Sequence, residues 1–201
     1  IAQRERGGLS YRRRMNGRIA ITGGIGCGKS FVAEKLRERG IDVYDCDGAA
    51  KRLIAKSQDI HRRLTTLIGS NAYLPNGELN KAVVAEFLLA SDDNNKAIND
   101  IVHPAVADDF IRSGVEWMEC AILYESGFDR LVDKVVAVTA PEEVRVERIM
   151  KRDCISRQRA LEWIKRQMPQ DEVRRRADFE IINDGRQNVD CQLDKILTIL
   201  F

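Results

Sequence analysis

The sequence TGGIGCGKS, residues 22–30, decides how the rest of this chain is interpreted. From Gly23 to Ser30 it fits the pattern G-x-x-x-x-G-K-[ST] at every required position. Glycines in such a loop allow successive backbone N–H groups to curl around a phosphate without Cβ clashes. Lys29 is then placed to bridge the β- and γ-phosphates, and the Ser30 hydroxyl to reach Mg²⁺. The stretch therefore predicts a phosphate-binding loop for a nucleoside triphosphate.

The residues on either side of this loop have the pattern that such a loop requires. Arg18–Thr22 (RIAIT) predicts a strand, and Lys29–Arg39 places its apolar residues on one helical face. Gly40 is a natural stop for that helix, and Ile41–Tyr44 predicts a second short strand. A strand, a loop, a helix and a strand in this order are typical of a parallel sheet.

Strands and helices continue to alternate along the chain. Short apolar runs predict further parallel strands at Ala121–Tyr124, Lys134–Thr139 and Phe179–Ile182, and residues 49–112 are mostly helical in pattern. We therefore expect an α/β fold, with a parallel sheet flanked by helices, an inserted helical subdomain and a helical lid. The expected boundaries within a single domain (15–201) are a core of residues 15–48, 113–144 and 177–201, an insertion of about 49–112, and a lid of about 145–176.

The composition excludes several functional classes. With 201 residues and 44% hydrophobic residues, the chain can form one domain with a sizeable core. Its formal net charge of +2 is too balanced for a general nucleic-acid-binding protein. No apolar run approaches the roughly 18 residues of a membrane span. Five scattered cysteines without a C-x-x-C pair fit a reducing cytoplasm, and only two histidines argue against a histidine metal cage.

Residues 1–14 form a basic segment with five arginines and a single acidic residue, Glu5. No apolar segment follows, which argues against a secretory signal. We expect a disordered N-terminal extension. A basic arm that binds a partner is the alternative.

Other classes of phosphate-loop protein would carry motifs that this chain lacks. A GTPase should show an N-K-x-D segment after a late strand, and Asn95-Lys96-Ala97-Ile98 lacks the aspartate. A motor or transporter ATPase would normally be longer or carry a signature loop. The remaining class is a small-molecule kinase with a P-loop kinase-like fold. Such a kinase should have an acidic group near the loop and a mobile, arginine-rich lid.

Three acidic residues are candidates for that group. Asp45 and Asp47 follow the second predicted strand, and the carboxyl ends of parallel strands face the ligand crevice. A carboxylate there can accept a proton from a substrate hydroxyl or hold magnesium through water, and an Asx turn or helix cap is the equally weighted alternative. Glu125 ends the run Ala121–Tyr124, in the place of a Walker-B-like acid, and its alternative is a surface residue.

The segment 145–176 is rich in arginine. It holds eleven basic and five acidic residues, and Arg145, Arg148 and Arg152 share one helix face. Arginines on a lid can close over phosphates and stabilise charge on the transferring phosphoryl group. We select Arg148 and Arg152 for this role and interpret the other basic residues as a solvated charged surface.

These motifs, in this order, resemble the dephospho-CoA kinase family from Arg18 to about Leu200. The loop is shared with many kinases, but its combination with D-x-D, His-Pro and R-x-x-x-R is much more specific. The segments that carry the resemblance are Thr22–Ser30, Val43–Arg52, Val102–Pro104, Ile122–Ser126, Arg148–Asp153, Ala177–Asp178 and Ile182–Gly185. Two residues depart from the family pattern: Phe31 replaces a common threonine, and Ala121 replaces a usual proline.

The resemblance implies phosphorylation of the ribose 3′-hydroxyl of dephospho-CoA by ATP with Mg²⁺, the last step of coenzyme A synthesis. It implies Asp47 as the general base, Lys29 and Arg148 as the other catalytic residues, and His103 and Glu125 at the acceptor. The helical insertion would be the CoA-binding subdomain. The implied ATP-binding residues are Gly24, Ile25, Gly26, Cys27, Gly28, Lys29, Ser30, Phe31, Arg152 and Asn183, with Ser30 also at the metal.

Two alternatives stay open on the sequence. The first is another small-metabolite or nucleoside-monophosphate kinase, since the loop and the lid would look similar. The second is a nucleotide-dependent binding module with little turnover. The expected partners are ATP and dephospho-CoA, with no nucleic acid and no membrane, and the expected state is a monomer or weak homo-oligomer in the cytoplasm.

Overall fold

A computed structural model describes residues 17–201, and the predicted extension at residues 1–14 lies outside the described residues. The strands are β1 (Ile19–Thr22), β2 (Val43–Asp45), β3 (Trp117–Glu119), β4 (Lys134–Thr139) and β5 (Phe179–Ile182). They form one sheet in the order β2-β3-β1-β4-β5, and every neighbouring pair is parallel. The predicted α/β fold with a parallel sheet is confirmed.

Helices cover both faces of this sheet. In chain order they are α1 (Lys29–Glu38), α2 (Cys46–Lys56), α3 (Gln58–Ile68), α4 (Lys81–Ala90), α5 (Asp92–Ser113), α6 (Glu142–Asp153), α7 (Arg157–Lys165), α8 (Gln170–Arg176) and α9 (Val189–Leu200). Short 3₁₀ helices lie at Ser70–Ala72 and Phe128–Leu131. Side-chain caps define several of the helix starts. The carboxylate of Asp45, for example, accepts a 3.0 Å hydrogen bond from the Gly48 N–H at the start of α2.

The central strand, β1, is buried on both faces. Ile19 and Ile21 pack in a cluster with residues of α1 and α9, whereas Ala20 packs with residues of α2 and α5. A parallel strand that is covered on both faces consists of a continuous apolar run, which is why the sequence RIAIT predicts β1 well. This packing places the end of β1, and hence the glycine loop, at the carboxyl edge of the sheet.

Four helices, α2 to α5, lie between β2 and β3 in the chain. Their own cluster contains the buried residues Ile60, Leu64 and Tyr73 together with Ile101 of α5. Helix α5 is 22 residues long and runs through Pro104. In the described part of the chain, no helix is long and apolar enough to cross a membrane.

The third strand differs from the prediction. The strand is Trp117–Glu119, whereas Ala121–Tyr124 lies in turns that follow it, so the predicted strand at that run is wrong. Trp117 and Met118 are buried in a strand paired with both β1 and β2. A short apolar run fits a turn packed on the core as well as it fits a strand, and periodicity cannot separate the two. The second strand is also displaced, from Ile41–Tyr44 to β2.

Candidate active site

The glycine loop joins β1 to α1 and approaches other parts of the chain closely. Gly26 and Gly28 have positive φ angles of 81° and 90°, which favour glycine. A Cβ at Gly28 would also collide with the side-chain amide of Asn183, just beyond β5. Asn183 is buried, and its Nδ2 donates a 2.8 Å hydrogen bond to the carbonyl of Cys27. The glycines therefore shape the loop and let β5 support it from one side.

Lys29 opens α1 at the floor of a cavity. Its Nζ donates a 3.4 Å hydrogen bond to the Gly24 carbonyl, and its side chain lines the cavity. Burial lowers the pKa of Lys29, and the charges of Glu119 and Asp47, among others, oppose that shift. A cation held among loop N–H groups at a helix N-terminus is suited to bind a polyphosphate.

Glu119 is a functional candidate that the sequence analysis missed. It ends β3, and its Oε1 accepts a 2.7 Å hydrogen bond from the hydroxyl of Ser30. The strand register pairs Glu119 with Ile21 on one side and Asp45 on the other, which sets it beside the loop. An acidic residue directly after the apolar pair Trp-Met was the available signal. It was overlooked because the strand was assigned to the next apolar run.

Glu125 does not have the place that the sequence analysis gave it. It is exposed, it does not line the cavity, and its Oε1 accepts a long 3.4 Å hydrogen bond from the Met168 N–H. The interpretation of Glu125 as a Walker-B-like acid at a strand end is therefore wrong. Glu119 holds that position because it is the last residue of β3, which ends before the apolar run Ala121–Tyr124 begins.

The structure separates the two aspartates of the D-C-D segment. Asp45 caps α2, as described above. Asp47 lies in the first turn of α2, and its exposed side chain lines the same cavity as Lys29 and Ser30. The helix-cap alternative thus applies to Asp45, whereas Asp47 is available for chemistry.

Two cavities meet at Asp47. The first, of about 480 Å³, contains the phosphate loop, and the second, of about 230 Å³, is mainly apolar. The lining of the second cavity includes Val102 and His103 of α5 together with Ile122 and Phe128. A group bound in the second cavity would therefore lie beside the carboxylate of Asp47, which also faces the first cavity.

The predicted lid arginines differ in their surroundings. Arg148 lines the first cavity; its Nη1 donates to the carbonyls of Gly26 (3.3 Å) and Cys27 (3.4 Å), and its Nη2 donates to Oδ1 of Asn183 (3.4 Å). Arg152 also lines the cavity, one turn further along α6, and forms a 2.7 Å ion pair with Asp153. Both side chains are thus within the site that the loop forms.

His103 lies in the second cavity rather than at the phosphate loop. Its ring meets the ring of Phe128 edge-on, with 5.6 Å between the ring centres. Burial lowers the pKa of His103, and the charge of Asp100 opposes the shift. The neutral imidazole is therefore the favoured form beside the apolar wall.

The structure brings most of the predicted residues together. Those that line the first cavity are Ile25, Gly26, Gly28, Lys29, Ser30, Asp47, Arg148 and Arg152. Those that do not line it are Gly24, Cys27, Phe31, His103, Glu125 and Asn183. Phe31 is exposed on α1, with the ammonium of Lys35 over its ring at 5.5 Å. Besides Glu119, the sequence analysis missed Gln167, which lines the cavity after α7.

Comparison with known proteins places this arrangement in a family. A family model described as Dephospho-CoA kinase matches residues 18–188. The chain belongs to the dephospho-CoA kinase family. A curated Dephospho-CoA kinase of Bacteroides fragilis is 38% identical over 191 residues, which is 92% of this chain and 93% of that protein. The resemblance predicted from the motifs is confirmed.

Solved structures share this fold. A crystal structure from Thermus thermophilus matches with a TM-score of 0.80 and 30% identity, over 94% of this chain and 100% of that one. A shikimate kinase from Acinetobacter baumannii has a TM-score of 0.54 at 16% identity over 96% of each chain, which shows the fold alone. The chain is therefore a dephospho-CoA kinase-family phosphotransferase with an alcohol group as acceptor.

Proposed function

We propose that this chain transfers the γ-phosphoryl group of ATP to the ribose 3′-hydroxyl of dephospho-CoA. The observation that carries the proposal is the position of Asp47, which lines both the phosphate-loop cavity and the apolar cavity behind it. A hydroxyl presented from the second cavity meets a carboxylate and a phosphoryl donor in one place. Family membership supports dephospho-CoA as the molecule that presents it.

The donor end of the site is built for a nucleoside triphosphate. The loop N–H groups and the N-terminus of α1 supply partial positive charge, and Lys29 supplies a full one. Arg148 and Arg152 line the same cavity from α6. Catalysis of phosphoryl transfer depends mostly on such positioning and charge stabilisation.

Asp47 is the proposed general base. It is exposed to the cavity, whereas Asp45 is occupied by the Gly48 N–H. A carboxylate in hydrogen-bond reach of the acceptor hydroxyl takes its proton as the new P–O bond forms and the bond from the γ-phosphorus to ADP breaks. The proton leaves on Asp47 and is released to water after the transfer.

The residues present fit a magnesium ion bound with ATP. Mg²⁺ prefers oxygen ligands and keeps several waters, and the Ser30 hydroxyl, the Glu119 carboxylate and the Asp47 carboxylate all line the first cavity. We propose that Ser30 holds the ion directly and that Glu119 orients the Ser30 hydroxyl. When bound, the ion neutralises charge on the β- and γ-phosphates.

The insertion, about residues 49–112, is the proposed acceptor-binding subdomain. Its helices α2 and α5 supply Ala50, Ile54, Val102 and His103 to the apolar cavity. An adjoining open cavity of about 620 Å³ shares His103 and Phe128 with it. The two cavities together give a long surface with polar and apolar parts, which suits an extended acceptor molecule.

The segment of about residues 145–176 is the proposed lid. Helices α6 and α7 pack on each other through Val146, Ile149, Ala160 and Ile164. Closure over the donor would bring Arg148 to the γ-phosphoryl group and exclude water, which would otherwise compete as the acceptor.

We also infer a monomer or weak homo-oligomer in the cytoplasm. The support for this location is that the five cysteines are free thiols, with Cys27, Cys46 and Cys120 buried. Size-exclusion chromatography with light scattering tests the oligomeric state.

ADP release with and without dephospho-CoA tests the function. We expect release to depend on dephospho-CoA, with the product phosphorylated at the 3′ position. Phosphorylation of AMP, CMP or shikimate, but not of dephospho-CoA, would overturn the proposal in favour of another metabolite kinase. As a matched control, Lys29→Ala should reduce transfer by on the order of 10³-fold or more, because the transferring phosphate loses its cation.

A further inference from the structure

Arg145 is buried against the phosphate loop and does not belong to the solvated surface of the lid. Only 5% of it is exposed, and it lies on α6 between the loop and the core of the lid. Its Nε donates a 2.9 Å hydrogen bond to the carbonyl of Ile25. The sequence analysis grouped Arg145 with the exposed arginines, and for this residue that interpretation is wrong.

The charge of Arg145 has no acidic partner in the described part of the chain. No side-chain carboxylate of residues 17–201 lies within ion-pair distance of its guanidinium. Arg39 is another poorly exposed arginine, and its charge is compensated by carboxylates. Those of Asp190 and Asp194 lie 2.9 and 2.8 Å from its Nη2. A buried guanidinium without a carboxylate is costly unless another anion compensates it.

The guanidinium is packed directly under the glycines of the loop. A Cβ at Gly24 would lie only 2.5 Å from Nη2 of Arg145, and a Cβ at Gly26 would lie 2.8 Å from its backbone carbonyl. Its charge also acts on the loop, since it opposes the rise in the pKa of Cys27 that burial causes. Ile25 and Gly26 line the first cavity, so the loop backbone separates Arg145 from that cavity.

Holding the loop in shape does not require a charge at this position. The N–H of Ile25 donates a 2.6 Å hydrogen bond to Oε1 of Gln167, so a neutral side chain already fixes one side of the same peptide segment. A neutral donor could serve the Ile25 carbonyl equally well. The positive charge of Arg145 is therefore not needed to hold the loop in its conformation.

We propose that Arg145 is a positioning residue whose buried charge is compensated by the polyphosphate bound on the other side of the loop. The residue holds the Ile25 carbonyl, and its charge strengthens nucleotide binding through the loop without touching the phosphates. This inference rests on the proposed function, because it takes the cavity to be the nucleotide site. It predicts that the charge of Arg145 lowers the stability of the nucleotide-free protein and raises its affinity for the nucleotide.

Two substitutions separate the charge from the hydrogen bond. Arg145→Gln keeps an N–H donor and removes the charge, whereas Arg145→Lys keeps the charge. For Arg145→Gln we expect a higher melting temperature without nucleotide and an affinity for ADP with Mg²⁺ lower by about five- to thirtyfold, as for a charge acting across a loop in a partly buried site. The KM for ATP should rise similarly, with kcat changed less than about threefold. Arg145→Lys should bind ADP nearly as the wild type does.

Calorimetric titration with ADP and Mg²⁺, thermal melting with and without them, and steady-state kinetics give these readouts. Arg39→Gln is the matched control: it should lower the melting temperature, because it removes the cation of Asp194 and leaves Asp190 with only Lys35, and should leave ADP affinity unchanged. Equal ADP affinity in Arg145→Gln and the wild type would overturn the inference. So would an Arg145→Gln protein that melts lower or fails to fold while Arg145→Lys is stable. If the wild type itself does not bind ADP, the proposed function fails instead.

Discussion

The hydroxyl of Ser30 donates a 2.7 Å hydrogen bond to the carboxylate of Glu119 and so joins the start of α1 to the end of β3. This contact fixes the direction of the hydroxyl that the metal would use. Glu119→Gln retains an acceptor oxygen but loses the charge. We expect turnover at limiting Mg²⁺ to fall by about 10- to 100-fold, the usual cost of losing a group that orients a metal ligand. Kinetics as a function of Mg²⁺ concentration measure this. Glu34→Gln, on the exposed side of α1, is the control and should behave as the wild type; an equal loss in both variants would contradict the assignment.

Asp47→Asn separates chemistry from structure. The asparagine keeps the size and reach of the side chain but cannot accept the proton of the ribose hydroxyl, so turnover should fall by about 10²- to 10⁴-fold. ADP affinity and melting temperature should change little, because the loop and the cap at Asp45 are untouched. A large drop in melting temperature would instead make Asp47 a structural residue.

Asp45 provides the matched comparison. Asp45→Asn should retain turnover because asparagine caps a helix as well as aspartate does. Asp45→Ala should lower the stability by about 1 kcal/mol through loss of the bond to the Gly48 N–H. Chemical denaturation measures both. If Asp45→Asn lost turnover as severely as Asp47→Asn, the division of roles between the two acids would be wrong.

Arg148→Lys tests geometry against charge. Lysine keeps the positive charge but cannot reach the loop carbonyls and Oδ1 of Asn183 with two separate nitrogens, as the guanidinium does. We expect kcat to fall by about tenfold or more, with a smaller change in ATP affinity. Arg175→Lys, on the exposed face of α8, is the control. Unchanged kcat in Arg148→Lys would contradict a catalytic role of the Arg148 guanidinium.

His103 makes the stability of the protein depend on pH. Burial lowers the pKa of His103 from its usual 6.5, so the unfolded chain takes up a proton more readily than the folded one. The stabilisation is therefore full above about pH 6.5 and is lost as the pH falls below that value. In melting curves from pH 8 to pH 5, the wild type should lose stability more steeply than His103→Gln. Parallel curves would exclude a contribution of His103.

Several elements could be predicted from the sequence to within a residue or two. The strands β1, β4 and β5 are apolar runs bounded by turn residues, and α1 begins at Lys29 and ends within one residue of the predicted Arg39. These elements are determined locally, by burial on both faces or by helical spacing. The loop was predicted with equal accuracy because its backbone chemistry requires glycine at fixed positions.

The features that were missed depend on contacts between distant parts of the chain. The location of β3 is set by its pairing with β1 and β2, not by its own apolar content, and Glu119 was missed with it. The burial of Arg145 arises because α6 packs onto a loop about 120 residues earlier in the chain. No local pattern distinguishes that arginine from Arg148 or Arg152, which share its helix face.

The helix that carries Asp47 is also the first helix of the insertion between β2 and β3. One continuous piece of chain therefore supplies the proposed base and much of the acceptor cavity, while β1, the loop and α1 supply the donor end. Exchanging residues 46–113 for the corresponding segment of another phosphate-loop kinase would transfer the acceptor specificity and the general base together. The residues that bind the nucleotide would stay in place. The architecture is in this sense modular, with its natural crossover points at the ends of β2 and the start of β3.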